Sequence, residues 1–199
     1  LARRPEHRPT PLHDLPALAR AAGVGSIRVK DEGRRLGLGS FKALGGAYAV
    51  VRLVLEEAGR RLGRSLDVAD LDTPDVRAVA ATLTFGCATD GNHGRSVAAG
   101  ARLVGAGAAI FMHEGVSPGR VAAIAAFGAE TIRVAGTYDD SVVEASRVCA
   151  ERGWIVVSDT SWPGYDHVPG LVMEGYTALV REALRELPAP PTHVFVQAG

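Results

Sequence analysis

Gly37-Leu38-Gly39-Ser40-Phe41-Lys42-Ala43-Leu44-Gly45-Gly46 is the stretch around which the chain is organised. It sets a lysine in the first turn of a predicted helix, directly after a glycine-rich loop. Ser40 has the hydroxyl of an N-cap residue, able to accept from the unpaired amides of that turn. Ala43, Leu44, Ala47, Tyr48, Val51 and Leu55 continue an apolar face at helical spacing, which predicts a helix over Phe41 to Glu57. A lysine at this end meets the positive pole of the helix macrodipole. That field, with partial burial, favours the neutral, nucleophilic amine. The competing reading is a solvated lysine that happens to follow a cap.

Composition narrows the classes of function. In 199 residues, 22 Lys and Arg balance 22 Asp and Glu, so no basic excess points to nucleic acid and no acidic run to a solvating tail. No apolar run has membrane-spanning length, and no charged-then-apolar leader follows Leu1. Cys87 and Cys149 are too few for a disulfide framework, so a cytoplasmic protein is expected. His7, His13, His93, His113, His167 and His193 lack metal-ligand spacing, and no metal site is read. The 24 glycines and 6% aromatic share suit an α/β protein with many tight turns.

Working outward, Arg8-Pro9-Thr10-Pro11-Leu12 is an extended segment stiffened by proline. Leu15 to Ala22 is predicted helical, and Ser26 to Lys30 alternates like a strand. Residues 59 to 75 show no clear period and are expected to form a surface loop or short helix between lobes. An α/β rhythm then begins. Val76 to Thr82 is predicted as a buried strand, Thr84 to Asn92 as a loop and His93 to Val104 as a helix. Ala108 to Met112, Glu130 to Val134 and Trp154 to Ser158 follow as strands, separated by helices Pro118 to Phe127 and Asp139 to Arg152. The loop Asp159 to Pro169 leads to a helix over Leu171 to Leu187, and His193 to Gln197 is predicted as a last strand.

This alternation implies parallel crossovers and a sheet covered on both faces. The lobes expected are 1–75 with 170–199, and 76–169. Gln197-Ala198-Gly199 falls at a strand's carboxyl edge, where open α/β sheets place ligand loops, so the chain is expected to be a fragment.

Two further motifs carry chemistry. Thr89-Asp90-Gly91-Asn92-His93-Gly94 lies at a helix N-terminus, where free amides and the dipole suit a carboxylate or phosphate. An ordinary Asp or Asn cap and turn reads equally well. Asp159-Thr160-Ser161-Trp162 follows a strand, so Asp159 either starts a turn or serves as acid and base beside Lys42 and Asp90. Gly105-Ala106-Gly107 precedes a strand rather than following one, and is no dinucleotide fingerprint.

With Ser40-Phe41-Lys42, Asp90-Gly91-Asn92-His93-Gly94 and Gln197-Ala198-Gly199 in this order, the chain resembles the fold-type-II pyridoxal-phosphate enzymes. These are the threonine dehydratase and tryptophan synthase β group, with two open parallel-sheet lobes. Within the group it is most similar to the diaminopropionate ammonia-lyase family. Pro9-Thr10-Pro11-Leu12, Val29-Lys30-Asp31-Glu32, Ala88 to Arg95, Asp159 to Tyr165 and Gly175-Tyr176 carry that narrower likeness. Gly33 stands where the family usually has serine and Leu36 where it has phenylalanine. The Lys42–Asp90 interval also runs a few residues longer.

The resemblance implies that Lys42 forms the Schiff base with pyridoxal phosphate and that Asn92 bonds the cofactor's phenolic oxygen. It places the substrate carboxylate at Thr89, Asp90, Gly91, Asn92, His93 and Gly94, and opens the phosphate loop at Gly199. Asp90 and Asp159 match the aspartates that take protons from D- and L-isomers. The reaction implied is elimination of 2,3-diaminopropionate to pyruvate and ammonia by a homodimer, with no nucleic-acid or membrane partner. A serine or threonine dehydratase, or an inactive fragment serving as a binding domain, are the alternatives.

Overall fold

The computed structural model describes residues 7–89 and 91–196. A short antiparallel pair, β1 (Leu12–Asp14) with β2 (Arg28–Lys30), flanks helix α1 (Pro16–Ala22). A 3-10 turn over Arg35–Gly37 leads into the long helix α2 (Lys42–Leu62), which closes at Gly63 in the left-handed conformation. Most of α2 is buried, which explains why it outruns the single apolar face legible in the sequence. After it come a 3-10 helix at Val68–Asp72 and α3 (Pro74–Ala80), so the stretch expected as a surface loop or short helix holds a short helix.

The rest is a parallel sheet in the order β5-β4-β3-β6, built from β3 (Thr84–Ala88), β4 (Gly107–His113), β5 (Glu130–Val134) and β6 (Ile155–Val156). Helices α4 (Asn92–Val104), α5 (Pro118–Ala125) and α6 (Tyr138–Arg152) connect these strands, and α7 (His167–Glu186) follows the last. Phe85, Cys87, Ile110 and Met112 pack with α2 and α4 in one core cluster. Ala109 and Phe111, on alternate positions, pack with Ala145, Val148 and Cys149 of α6 on the other face. Both faces of the sheet are covered, as the α/β rhythm requires.

Three sequence expectations fail. Val76 to Thr82 is not a strand: Pro74 sits in the first helical turn after an extended Thr73, and Val76, Val79 and Ala80 bury one helical stripe. The strand lies instead over Thr84–Ala88, within the stretch Thr84 to Asn92 expected as a loop. Gly86 is needed there, since a Cβ would run into Cys149 Sγ. His193 to Val196 forms no strand; it pairs with no neighbour among the described residues, and Phe195 is 92% exposed. Gln197, the last residue of that expected strand, lies outside the described residues.

The crossing of α2 with α4 and α7 fixes the start of α2. A Cβ at Gly45 would stand 2.5 Å from the Tyr176 ring, and one at Gly175 would stand 2.6 Å from the Leu44 carbonyl. Helices approach this closely only where a side chain is missing. Ser96 of α4 enters the backbone of α2 itself. Its hydroxyl donates to the Ala43 carbonyl at 3.0 Å and accepts from the Ala47 amide at 2.8 Å.

Candidate active site

Lys42 is the first residue of α2, but Ser40 does not cap it. The residue at the N-cap is Phe41, already in a helical conformation, and the Ala43 and Leu44 amides bond the Ser40 and Phe41 carbonyls. Those backbone bonds take over the role expected of the serine hydroxyl. Ser40 Oγ is left buried without a partner among the described residues. The loop before it is tightly wound: Leu36, Gly37 and Gly39 all have positive φ, of 51°, 70° and 82°. For Leu36 this costs about 1 kcal/mol, and its side chain is buried beside Leu38, Ala43 and Leu44.

The amine of Lys42 reaches Asp159 Oδ2 at 2.7 Å. Asp159 follows β6 at the carboxyl end of the sheet, so two residues 117 positions apart meet across the sheet edge. His93 completes the group. Its Nδ1 lies 3.8 Å from Asp159 Oδ2, and its Nε2 is 2.8 Å from the Val157 carbonyl. An oxygen that can only accept assigns the proton to Nε2, which leaves Nδ1 as a buried acceptor without a partner.

Burial lowers the pKa of His93 below its ordinary value, against the opposing pull of Asp159, so the ring is neutral near pH 7. Burial pushes the Asp159 carboxyl up, but His93 and Lys42 more than offset it and hold the group below its usual range. Lys42 keeps 31% of its side chain exposed and Asp159 19%, so the pair is held yet reachable.

Thr89 Oγ1 accepts from the Gly91 amide at 3.0 Å and the Gly94 amide at 3.3 Å, organising the start of α4 from within. Gly91 has φ of 154°, open to glycine alone. Asn92 opens α4 and is exposed, whereas His93 and Gly94 are buried. The structure therefore joins Lys42, Asp159 and His93 directly, with Thr89, Gly91, Asn92 and Gly94 on the loop that carries His93. Asp90 and Gly199 lie outside the described residues.

Ser96 and Tyr165 escaped the sequence reading. Tyr165 bonds the backbone on both sides of Val157, two residues before Asp159. Only long-range contacts reveal either residue. Two surface clefts, of about 350 and 570 Å³, lie along Tyr48, Glu174 and Arg52 and include none of Lys42, His93 or Asp159.

This constellation, a lysine opening a buried helix and paired across the carboxyl edge of a parallel sheet, defines the class. Residues 3–199 match the family model of pyridoxal-phosphate dependent enzymes, and the chain belongs to that family. Among curated proteins it is 44% identical over 197 residues to diaminopropionate ammonia-lyase of Escherichia coli strain K12, covering 97% of this chain and 48% of that one. A mouse serine dehydratase-like protein is 29% identical over 195 residues, covering 98% of this chain and 49% of that one. The crystal structure of the Escherichia coli diaminopropionate ammonia lyase in apo form superposes with a TM-score of 0.85 at 41% identity, covering 98% of this chain and 53% of that one. The chain spans about half the length of the curated relatives it matches.

Proposed function

We propose that this chain supplies the lysine and acid–base groups of a pyridoxal-phosphate-dependent elimination, with 2,3-diaminopropionate as substrate and pyruvate and ammonia as products. The observation that carries the reading is the Lys42–Asp159 pair at 2.7 Å. It pairs an amine with a proton acceptor at the sheet edge where α/β folds bind ligands. The residues fit the cofactor. Lys42 is anchored at its base by a buried helix, and its amine remains accessible. Ser40 Oγ, His93 Nδ1 and Arg95 Nε, on the segments that carry the site, are buried polar atoms with no partner among the described residues.

When bound, pyridoxal phosphate acts as the electron sink for an amino acid that has lost its α-proton. Lys42 would hold the cofactor covalently through its amine. Asp159 then takes up the α-proton of the L-isomer, and Asp90 is assigned the same task for the D-isomer. An amine leaves poorly without a proton, so Lys42 or an aspartate delivers one to the β-nitrogen. The N-terminus of α4, opened by Thr89 to Gly94, receives the substrate carboxylate. Asn92 is assigned to the cofactor's phenolic oxygen and Gly199 to its phosphate. A cytoplasmic homodimer and the lobe division 1–75 with 170–199 against 76–169 belong to the same reading.

Lys30 and Lys42 are the two lysines of the chain, which makes the test specific. Pyridoxal phosphate is titrated into the protein, trapped with borohydride and mapped by peptide mass spectrometry. Label is expected at Lys42 and not at Lys30, and Lys42→Ala should lose it together with the near-visible absorbance. No label, or equal label at both lysines, overturns the reading. Turnover of D- and L-2,3-diaminopropionate against D- and L-serine then decides between an amino and a hydroxyl leaving group.

A further inference from the structure

The Trp162-Pro163-Gly164-Tyr165 segment takes no part in the chemistry above, yet it is built around the strand that presents Asp159. Among the described residues β6 is the edge strand of the sheet and pairs on one side, with β3. Because the Val157 amide bonds Gly86 of β3 at 2.8 Å, the polar groups of Val156 and Ser158 point the other way, to the open edge. Tyr165 covers both. Its hydroxyl donates to the Val156 carbonyl at 2.8 Å and accepts from the Ser158 amide at 3.0 Å. One phenol thus makes the two bonds that a neighbouring strand would otherwise make.

The ring is fixed in turn. Trp162 stacks on it with centroids 3.9 Å apart and planes 7° from parallel. The two residues also form an antiparallel bridge, in which the Tyr165 amide donates to the Trp162 carbonyl at 2.8 Å. The Thr160 amide donates to Ser158 Oγ at 3.1 Å, closing the turn over Asp159. On the inner side, His93 takes the Val157 carbonyl. The three residues before Asp159 are therefore gripped from both edges.

We propose that Tyr165 is a positioning residue for Asp159: its phenol bonds the strand edge that no other described strand pairs, and holds the carboxylate at Lys42. Its importance for turnover rests on the reading of Asp159 as the acid–base group, but the geometry can be tested without cofactor. Burial pushes the Tyr165 phenol up to about 12, so its proton stays in place to donate.

Tyr165→Phe keeps the stack and removes both hydrogen bonds. The readout is the rate at which acetic anhydride modifies Lys42, relative to Lys30, followed by peptide mass spectrometry. Lys30 is anchored separately, to Glu182 and Glu186, and serves as the internal reference. Releasing the amine from its carboxylate makes it a better nucleophile. Tyr165→Phe is therefore expected to raise the Lys42/Lys30 ratio severalfold, as is Asp159→Asn. The double variant should be no faster than Asp159→Asn alone, because the phenol acts through that carboxylate.

An unchanged ratio, equal acceleration of both lysines, or full additivity in the double variant each overturns the proposal. Should Tyr165→Phe fail to fold, hydrogen exchange in the unaltered protein decides. The Ser158 amide must then be protected about tenfold or more beyond a free edge amide. An unprotected amide sinks the idea. Failure of cofactor labelling at Lys42 would leave this result intact, so the two readings fall separately.

Discussion

Two charged clusters stand within ten residues of each other on either side of the Gly37–Ser40 loop, and they are built on opposite plans. Arg35 is fully buried and saturated. Its guanidinium bonds Glu32 at 2.6 Å, Glu182 at 2.6 and 2.9 Å, Thr10 Oγ1 at 3.0 Å and the Arg8 carbonyl at 3.3 Å. Burial works against its charge, and the two carboxylates more than restore it. Lys30 adds a further cation on Glu182. Lys42, by contrast, has one close partner and remains partly exposed, and its cluster includes a buried ring nitrogen with no partner. A closed network ties the N-terminal segment to α7, while an open one leaves polar groups free for something else to bond. An unsatisfied buried polar atom is costly, and among the described residues the His93 ring nitrogen stands as one beside the Lys42–Asp159 pair.

The sharpest way to break this contrast is to remove each cation in turn. Arg35→Gln leaves Glu32 and Glu182 facing each other in a buried site and should destabilise the protein by about 3–5 kcal/mol. Lys42→Ala should cost less than about 1 kcal/mol, because Asp159 is already near water. Thermal unfolding of both variants checks the pair, and equal losses would abolish the distinction.

Glu182→Gln is expected to follow, at about 3 kcal/mol near neutral pH. Its sign with pH is fixed by the pKa. Burial pushes Glu182 up, but Arg35 and Lys30 overcome this and hold it at about 2 against an ordinary 4.5. A depressed carboxylate stabilises fully above its unfolded value and loses that contribution as pH falls towards the folded one. The stability gap between wild type and Glu182→Gln should therefore narrow from pH 4.5 to about 2. Denaturant unfolding across that window would show it. A gap that widens on acidification contradicts the assignment.

Ser96→Ala tests the link between the clusters and the core at a smaller scale. It strands the Ala43 carbonyl and Ala47 amide one turn beyond Lys42, for about 2 kcal/mol. Because the distortion lies at the root of the lysine, cofactor labelling at Lys42 should also fall. Loss of stability with full labelling would mean that Ser96 supports only the helix crossing.

Much of the architecture was legible because parallel α/β folds write their period into the chain. Glu130–Val134 was read with its bounds correct, and α4, α6 and β4 to within a residue of theirs. The region from Val76 to Ala88 was misread for a local reason. A short buried helix and a buried strand are both continuous apolar runs, and a glycine required by Cys149 masked the strand. The signal for the helix was present in Thr73-Pro74-Asp75, a proline in the first turn with an acid beside it.

The sequence by itself determined the class of protein, because Lys42 after its glycine loop, the Asp90–Gly94 motif and Asp159 stand in a recognisable order. It also determined which ends of which elements carry them, since the period of hydrophobicity sets where strands stop and helices begin. Only the tertiary structure decided which partner each charge has. Lys42 meets Asp159 across 117 residues, His93 turns its protonated nitrogen to a backbone carbonyl, and Tyr165 closes a sheet edge. Periodicity records whether a residue faces inward. It does not record which group it meets there, because that depends on where distant segments cross.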